Sequence, residues 1–437
     1  MHILLILPAT RESRANRNRL IAFAPLTMSV LAALVPAEHD VSIVDENAKE
    51  VDFDLKPDLV GVSALAGTIN RAYEIARRFR EQGATVVFGG YYPSIFPEEV
   101  SQHADSVVVG LGYKTWPQCI EDFANHALKK IYWPGDTDTI DNYPVPRRDL
   151  LAKSNYLTRN TIKATTGCPN QCHFCTTPIA EARYQTRSIE SVIDEIKRLH
   201  GPLVFVDENL TGNKSFAKRL FREMIPLKRE WVATATANCT ADTELLSLAA
   251  QSGCRGLFIG LESLNQQNLR ESNKPFVKVA AYAEMQRRLR DHGICSALGI
   301  MFGFDHDDAS VFDATSRFID QINADVIRYG VVTPFPGTPL YRKLLEEERI
   351  TDFNLDNYDS YHVVFRPKLM TARQLQEGFL RAMYHTYSLT SIGKRLLFSR
   401  SCLRLSVPVN VGYHINNRRL KKQIETNRFY LPGCEPA

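Results

Sequence analysis

Short continuous apolar runs alternate along this chain with stretches whose apolar residues recur every three to four positions. The runs read as strands buried on both faces, and the recurrent stretches as helices laid over them. That is the pattern of a parallel sheet flanked by helices. In residues 1–130 the strands are placed at 2–7, 41–44, 59–63, 85–88 and 107–109, and the helices at 26–34, 69–82 and 115–123. Gly83 and the Gly89-Gly90 pair supply stops. Residues 131–160 are rich in Pro, Asp and Asn, carry no period and read as a linker. The alternation then restarts. Strands are expected at 161–165, 203–206, 232–236, 256–260, 296–301 and 326–329, with helices at 189–199, 216–224, 243–251, 277–292 and 309–322. The α/β reading is therefore a doubly wound domain (1–130), a linker (131–160), a partial (β/α)6 barrel (161–339) and a helical C-terminal extension (340–437).

A chain of 437 residues exceeds one ordinary core, so several domains are expected. With 44% apolar and 23% charged residues it has the composition of a soluble globular protein. A net charge of +4 is too mild to argue for a nucleic-acid partner. The nine cysteines are odd in number and show no disulfide-framework spacing, which points to reduced thiols and a cytoplasmic setting. Cys239, Cys254 and Cys295 read as small buried apolar residues. The opening run Met1-His-Ile-Leu-Leu-Ile-Leu-Pro8 lacks a basic n-region and a cleavage site, and reads as a first strand. No apolar stretch approaches the roughly 20 residues that span a bilayer.

The chemistry concentrates in Lys163-Ala-Thr-Thr-Gly-Cys-Pro-Asn-Gln-Cys-His-Phe-Cys-Thr-Thr-Pro178. Cys168, Cys172 and Cys175 are spaced C-x3-C-x2-C on one loop that follows a predicted strand. Three thiolates hold three irons of a cubane cluster and leave the fourth iron open, and an open coordination site signals chemistry rather than scaffolding. The competing reading is structural zinc, with His173 as the fourth ligand. His173 adjoins Cys172 and is poorly placed to close a tetrahedron.

This loop resembles the signature of the radical S-adenosylmethionine (SAM) enzymes. The resemblance implies that the open iron of a [4Fe-4S] cluster chelates SAM, that reduction by an external flavodoxin- or ferredoxin-type donor cleaves SAM to a 5′-deoxyadenosyl radical, and that Phe174 lies near the adenine. It also implies SAM contacts at the strand ends, from Asp207, Glu208, Asn238 and Glu262, with Lys274 and Asp305 as further SAM contacts or as helix caps.

The loops of the first domain resemble the cobalamin-binding domain that precedes the barrel in one radical SAM class. Ser63-Ala-Leu65 matches its Ser-x-Leu element and Gly89-Gly90 its paired glycines. Two departures stand out. Where other cobalamin folds carry Asp-x-His-x-x-Gly this chain has Pro8-Ala-Thr-Arg-Glu-Ser-Arg14, so no histidine is offered to cobalt. Gly110-Leu-Gly-Tyr113 replaces a more acidic loop. The alternative is a flavodoxin-like domain without ligand.

The 359–371 segment resembles the extension of cobalamin-type enzymes that act on hopanoid lipids. Together these resemblances imply a cobalamin-dependent radical SAM methyltransferase that acts on an unactivated carbon of a small or lipid-like substrate. The alternatives are a radical cyclase of the tetrapyrrole kind or a non-catalytic cobalamin or redox sensor. Two basic stretches bear on the substrate. Arg11, Arg14, Arg17 and Arg19 follow the first strand and suit a carboxylate or phosphate. The tail mixes Lys394, Arg395, Arg400, Arg404, Arg418, Arg419, Lys421 and Lys422 with Leu396, Leu397, Phe398, Leu403 and Leu405, as a packed helix with a charged outer face or as a peripheral membrane contact.

Overall fold

The computed structural model describes residues 1–15, 21–135, 140, 143–181, 183–397, 399 and 403–425, with side chains to residue 421 in the last helix. Arg17, Arg19, Phe398, Arg400 and the side chain of Lys422 lie outside the described part. The chain divides into two compact units, Met1–Pro169 with Thr176–Asp207, and Asn170–Cys175 with Glu208–Ala437.

The first unit is built on a six-stranded parallel sheet in the order Asp40–Asp45, His2–Leu7, Leu59–Ser63, Thr85–Gly89, Ser106–Val108, Ile131–Tyr132. Ile3, Leu4, Leu5 and Ile6 are fully buried, which is why the opening run is continuously apolar. Helices Leu26–Ala33 and Thr115–Ala124 cover one face, where Met28, Ala32, Trp116 and Ile120 meet Ile3, Leu5, Leu59 and Val87. Ile69–Glu81 buries Ile69, Ala72, Ile75, Ala76 and Phe79.

Two features of this unit were not expected. Ile131–Tyr132, at the start of the aperiodic 131–160 stretch, is the sixth strand. Outside the six-stranded sheet, Ile21–Phe23 pairs in parallel with Tyr156–Thr158 as a separate two-stranded sheet, Ile21 opposite Tyr156 and Phe23 opposite Thr158.

The order reverses at the His2–Leu7 strand, whose successor in the sheet lies on the other side of it from Asp40–Asp45. Ligands in such folds sit beyond the carboxyl ends at this reversal. There Glu46, fully buried, takes the backbone N–H of Ala9 at 3.0 Å and pairs with Arg71 at 2.5 Å, which fixes the loop after the first strand.

The same unit contains the parallel pair Thr161–Ile162 and Leu203–Phe205, joined through helix Ile189–Arg198. A buried Arg148–Glu195–Arg187 triad locks that helix, with Arg187 at 2.6 Å from Glu195. The expected strand 161–165 stops at Ile162. Asp207 captures the backbone N–H groups of Ala164 and Thr165, so the chain leaves the ladder, and Thr165–Thr166 pairs instead with Gln185–Thr186 in antiparallel fashion.

In the second unit, strands Trp231–Ala235, Cys254–Glu262, Cys295–Phe302 and Val326–Val331 are parallel and adjacent in chain order. Helices Thr243–Gln251, Tyr282–Asp291 and Val311–Ile322 alternate with them, and Ala372–Thr386 packs on the last of these helices. The expected helix 277–292 begins as a 3-10 turn, Val279–Ala281. Cys239, Cys254 and Cys295 are buried as expected, and burial pushes the Cys239 thiol up to about 12.

Candidate active site

The cysteine loop is held at both ends by groups that the sequence motif does not contain. Gly167, just before Cys168, has φ +69°, and a side chain there would meet the Arg183 carbonyl oxygen at 2.5 Å. Its N–H donates to Glu181 Oε2 at 2.6 Å. The other Glu181 oxygen accepts from the Tyr91 hydroxyl at 3.0 Å and lies 3.4 Å from Lys163 Nζ. Glu181 is buried, and it ties the residue before the first cysteine to the residue after Gly89-Gly90.

On the far side of the loop, in the second unit, His173 N–H donates to the Ser272 carbonyl at 3.0 Å. The His173 carbonyl accepts from Leu340 N–H at 2.9 Å, and Asn273 Nδ2 donates to the Gln171 carbonyl at 2.8 Å. His173 Nδ1 lies 2.9 Å from the Glu271 carbonyl, so that nitrogen is engaged by the fold. Cys168, Cys172 and Cys175 are half-buried and in no disulfide, and Cys175 N–H donates to the Cys172 carbonyl at 3.0 Å. Phe174 meets Phe304 edge-on, ring centres 6.3 Å apart, and lines a cavity with Asn268, Leu340 and Phe365.

The strand ends supply the charged groups. Asp207 is 2% exposed. Its Oδ1 accepts from Ala164 N–H at 3.0 Å, Thr165 Oγ1 at 2.7 Å and Thr165 N–H, while its buried Oδ2 has no hydrogen-bond partner among the described residues. Burial raises its pKa to about 6, against the opposing pull of the Thr165 hydrogen bonds and of Lys163. Glu208 is half-buried beside it in sequence.

Glu262 ends its strand at φ +68°, a left-handed conformation that non-glycine residues rarely take and that clusters at functional sites. It pairs with the buried Lys274 at 2.6 Å, and Lys274 also donates to the Gly260 carbonyl at 3.0 Å. Burial opposes the charge on Lys274. Glu262 and the Cys172 and Cys175 sulfurs outweigh it and hold the pKa above the ordinary lysine value. Asn238 is exposed; its Oδ1 accepts from Thr236 Oγ1 at 2.7 Å and its carbonyl from Lys214 Nζ at 3.4 Å. Asp305 is engaged by Lys343, Arg349 and Lys368, an ion cluster that brings its pKa down to about 2 despite burial. Asp307, not singled out in the sequence, accepts from Gly303 N–H, Phe304 N–H and Asn268 Nδ2 and so fixes the loop that carries Phe304.

The candidate cobalamin loops lie at the carboxyl ends of the first sheet. Gly90 has φ +99°, and a Cβ there would come within 2.7 Å of the Ala64 carbonyl oxygen and 2.8 Å of Ser63 Oγ. The Ser63-Ala-Leu65 and Gly89-Gly90 segments are therefore in backbone contact, and Ala64 N–H donates to the Gly89 carbonyl at 2.9 Å. Ser94 Oγ bridges the Gly90 carbonyl and Gly110 N–H. Leu65 is 54% exposed at this end, an apolar side chain presented without cover by the described residues. Arg11 and Arg14 fall on the short helix Arg11–Ala15 after the first strand.

Comparison with known proteins agrees with this arrangement. Residues 162–319 match the Radical SAM superfamily and residues 22–120 the B12 binding domain. The chain is 30% identical over 408 residues to a bacteriochlorophyllide d C-12(1)-methyltransferase of Chlorobaculum tepidum, covering 90% of this chain and 89% of that protein. It is 25% identical to the hopanoid C-2 methylase of Rhodopseudomonas palustris, over 75% of this chain and 65% of that one. Among solved structures, the radical S-adenosylmethionine methyltransferase TsrM from Kitasatospora setae, with tryptophan and a SAM analogue bound, shares the fold. Its TM-score is 0.64 at 19% identity, over 88% of both chains.

Proposed function

The chain belongs to the cobalamin-dependent radical SAM methyltransferase family, and from that premise we propose that it methylates an unactivated carbon of a largely apolar small molecule. The substrate class we favour is a tetrapyrrole side chain ahead of a hopanoid. The observation that carries this choice is the 30% identity to a tetrapyrrole methyltransferase across nearly the whole chain, against 25% to the hopanoid methylase over a shorter stretch.

When bound, the [4Fe-4S] cluster and SAM supply a radical that abstracts a substrate hydrogen, and cobalamin supplies the methyl group. The residues of this chain hold, orient and shield those groups. Cys168, Cys172 and Cys175 are the three thiolate ligands, on a loop fixed at one end by Glu181 and at the other by backbone bonds from 272 and 340. The Lys274 ammonium lies in the field of two of these sulfurs and offsets their negative charge. The unpartnered Oδ2 of Asp207 suits the SAM ammonium, since a buried carboxylate oxygen without a partner is costly until a cation arrives. Phe174 and Phe304 offer flat apolar faces to the adenine. Ser63, Leu65, Gly89 and Gly90 would hold the nucleotide tail of cobalamin, Gly90 being a position where a side chain would meet the Ala64 backbone. The electron comes from an external flavodoxin- or ferredoxin-type donor.

The test is anaerobic turnover of the reconstituted holoenzyme with SAM, a low-potential reductant and candidate substrates. The expected result is 5′-deoxyadenosine together with a product heavier than substrate by one CH2. A product changed by ring closure or hydrogen loss, with no methyl gain, would establish the cyclase alternative. Absence of SAM cleavage with every substrate would favour the sensor.

A further inference from the structure

The last two helices place several polar groups inward and several apolar groups outward. Leu389–Leu397 and Leu403–Glu425 bury Ser391, Arg395, Ser406, Asn410 and Asn417. Arg395 is fully buried and donates to the carbonyls of Ala324 at 2.7 Å and Thr386 at 2.8 Å, and to Asn410 Oδ1 at 3.0 Å. Asn410 Nδ2 donates to the Asp325 carbonyl at 2.8 Å, and Asn417 Nδ2 to that of Met383 at 3.1 Å. His414 Nδ1 lies 2.7 Å from the Tyr387 carbonyl, and the Tyr413 ring stacks on Tyr387. This face is pinned to the second unit at five residues.

The outward side of the last helix is apolar as far as Ile415 except for the exposed Arg404. Leu403, Val407, Val411 and Ile415 recur at every fourth position and are each 42 to 46% exposed, with Pro408 and Gly412 also exposed beside them. Leu397 and Leu389 of the preceding helix are 77% and 67% exposed. A packed helix normally carries the reverse pattern. Past Ile415 the exposed residues turn basic, at Arg418, Arg419 and Lys421. Charge along the whole segment is one-sided. Residues 378–424 contain nine Lys and Arg and no Asp or Glu.

We propose that this face docks the enzyme on a bilayer carrying anionic lipid headgroups. Apolar side chains on a rigidly held helix enter the headgroup boundary, and the basic residues that follow meet the phosphates. A second copy of the chain fits the face less well, because it would bring its own basic residues and no carboxylate to match them. The inference is independent of the substrate assigned above.

The experiment is co-flotation of full-length holoenzyme with vesicles of phosphatidylcholine, with and without phosphatidylglycerol. Wild type is expected to float with the anionic vesicles at low salt, on the order of tenfold better than with phosphatidylcholine alone, and to lose that preference at high salt. Val411→Asp with Ile415→Asp, both at exposed positions, should lower flotation about tenfold while leaving the melting temperature and SAM cleavage intact. Arg418→Ala with Arg419→Ala should remove most of the salt-sensitive part. Equal flotation of wild type and the double aspartate variant would overturn the proposal. So would no flotation of wild type at low salt, or a wild-type dimer that the aspartate variant makes monomeric.

Discussion

At the scale of single residues the proposed chemistry rests on three thiols and one carboxylate oxygen. Cys168→Ala, Cys172→Ala and Cys175→Ala are each expected to lose bound iron and SAM cleavage, because two remaining thiolates hold only two irons. Cys239→Ala should retain both, since that thiol is buried and its ionisation suppressed. Iron content and 5′-deoxyadenosine yield decide the matter, and a normal Cys172→Ala protein would sink the ligand assignment. Asp207 has a pH signature. Its folded pKa of about 6 exceeds the ordinary aspartate value of 3.8, so the folded protein keeps a proton that the unfolded chain has lost, and this group's stabilising contribution falls as pH rises from 3.8 to 6. A bound ammonium needs the ionised form. SAM affinity should therefore rise with pH through about 6 in wild type and stay flat and weak in Asp207→Asn. Calorimetric titration at several pH values tests this, and identical profiles for the two proteins would remove Asp207 from the SAM site. The C-x3-C-x2-C spacing was legible in the sequence because it is local. Glu181 was not, because nothing about a lone glutamate in an irregular stretch shows that it meets Tyr91, 90 residues away, and Gly167 on either side of one carboxylate.

At the scale of elements the apolar periodicity located the strands and helices well where side chains decide the structure. His2–Leu7 and Leu59–Ser63 are continuous apolar runs because both faces of the sheet are covered. It failed where backbone capture decides. The 161–165 run looks like one strand and is broken by Asp207, 42 residues further along. Short edge pairings such as Ile21–Phe23 with Tyr156–Thr158 leave no period to read. The tail shows the same limit more sharply, because Lys394 and Arg395 are indistinguishable in sequence. Lys394 is exposed, and Arg395 satisfies carbonyls in the core. Lys394→Ala should change stability by less than about 0.5 kcal/mol. Arg395→Ala should cost roughly 3–5 kcal/mol, since it strands buried polar groups. Denaturant unfolding of the two variants checks the contrast, and equal midpoints would contradict it. Gly90→Ala is expected to weaken cobalamin binding strongly, because an L side chain is strained at φ +99° and meets the Ala64 backbone. Cobalamin retained on gel filtration by Gly90→Ala at the wild-type level would argue against the loop.

At the scale of the whole molecule, one buried carboxylate has consequences for the order in which the protein is loaded. Glu181 is shared by Tyr91, next to the paired glycines, and by Gly167, next to the first cysteine. Any ligand that draws either neighbour into place settles the carboxylate for the other. Thermodynamic linkage then requires that the help be mutual, so a filled cubane should tighten cobalamin and cobalamin should tighten the cubane by the same factor. Typical coupling of this kind is about 5- to 150-fold. Cobalamin affinity measured on protein with and without iron should show such a difference in wild type and little in Glu181→Gln. Equal affinities in wild type would mean that the two cofactors load independently. If the coupling holds, a cell short of either iron or cobalamin accumulates empty protein rather than half-assembled enzyme, and a radical generator is not left running without its methyl donor.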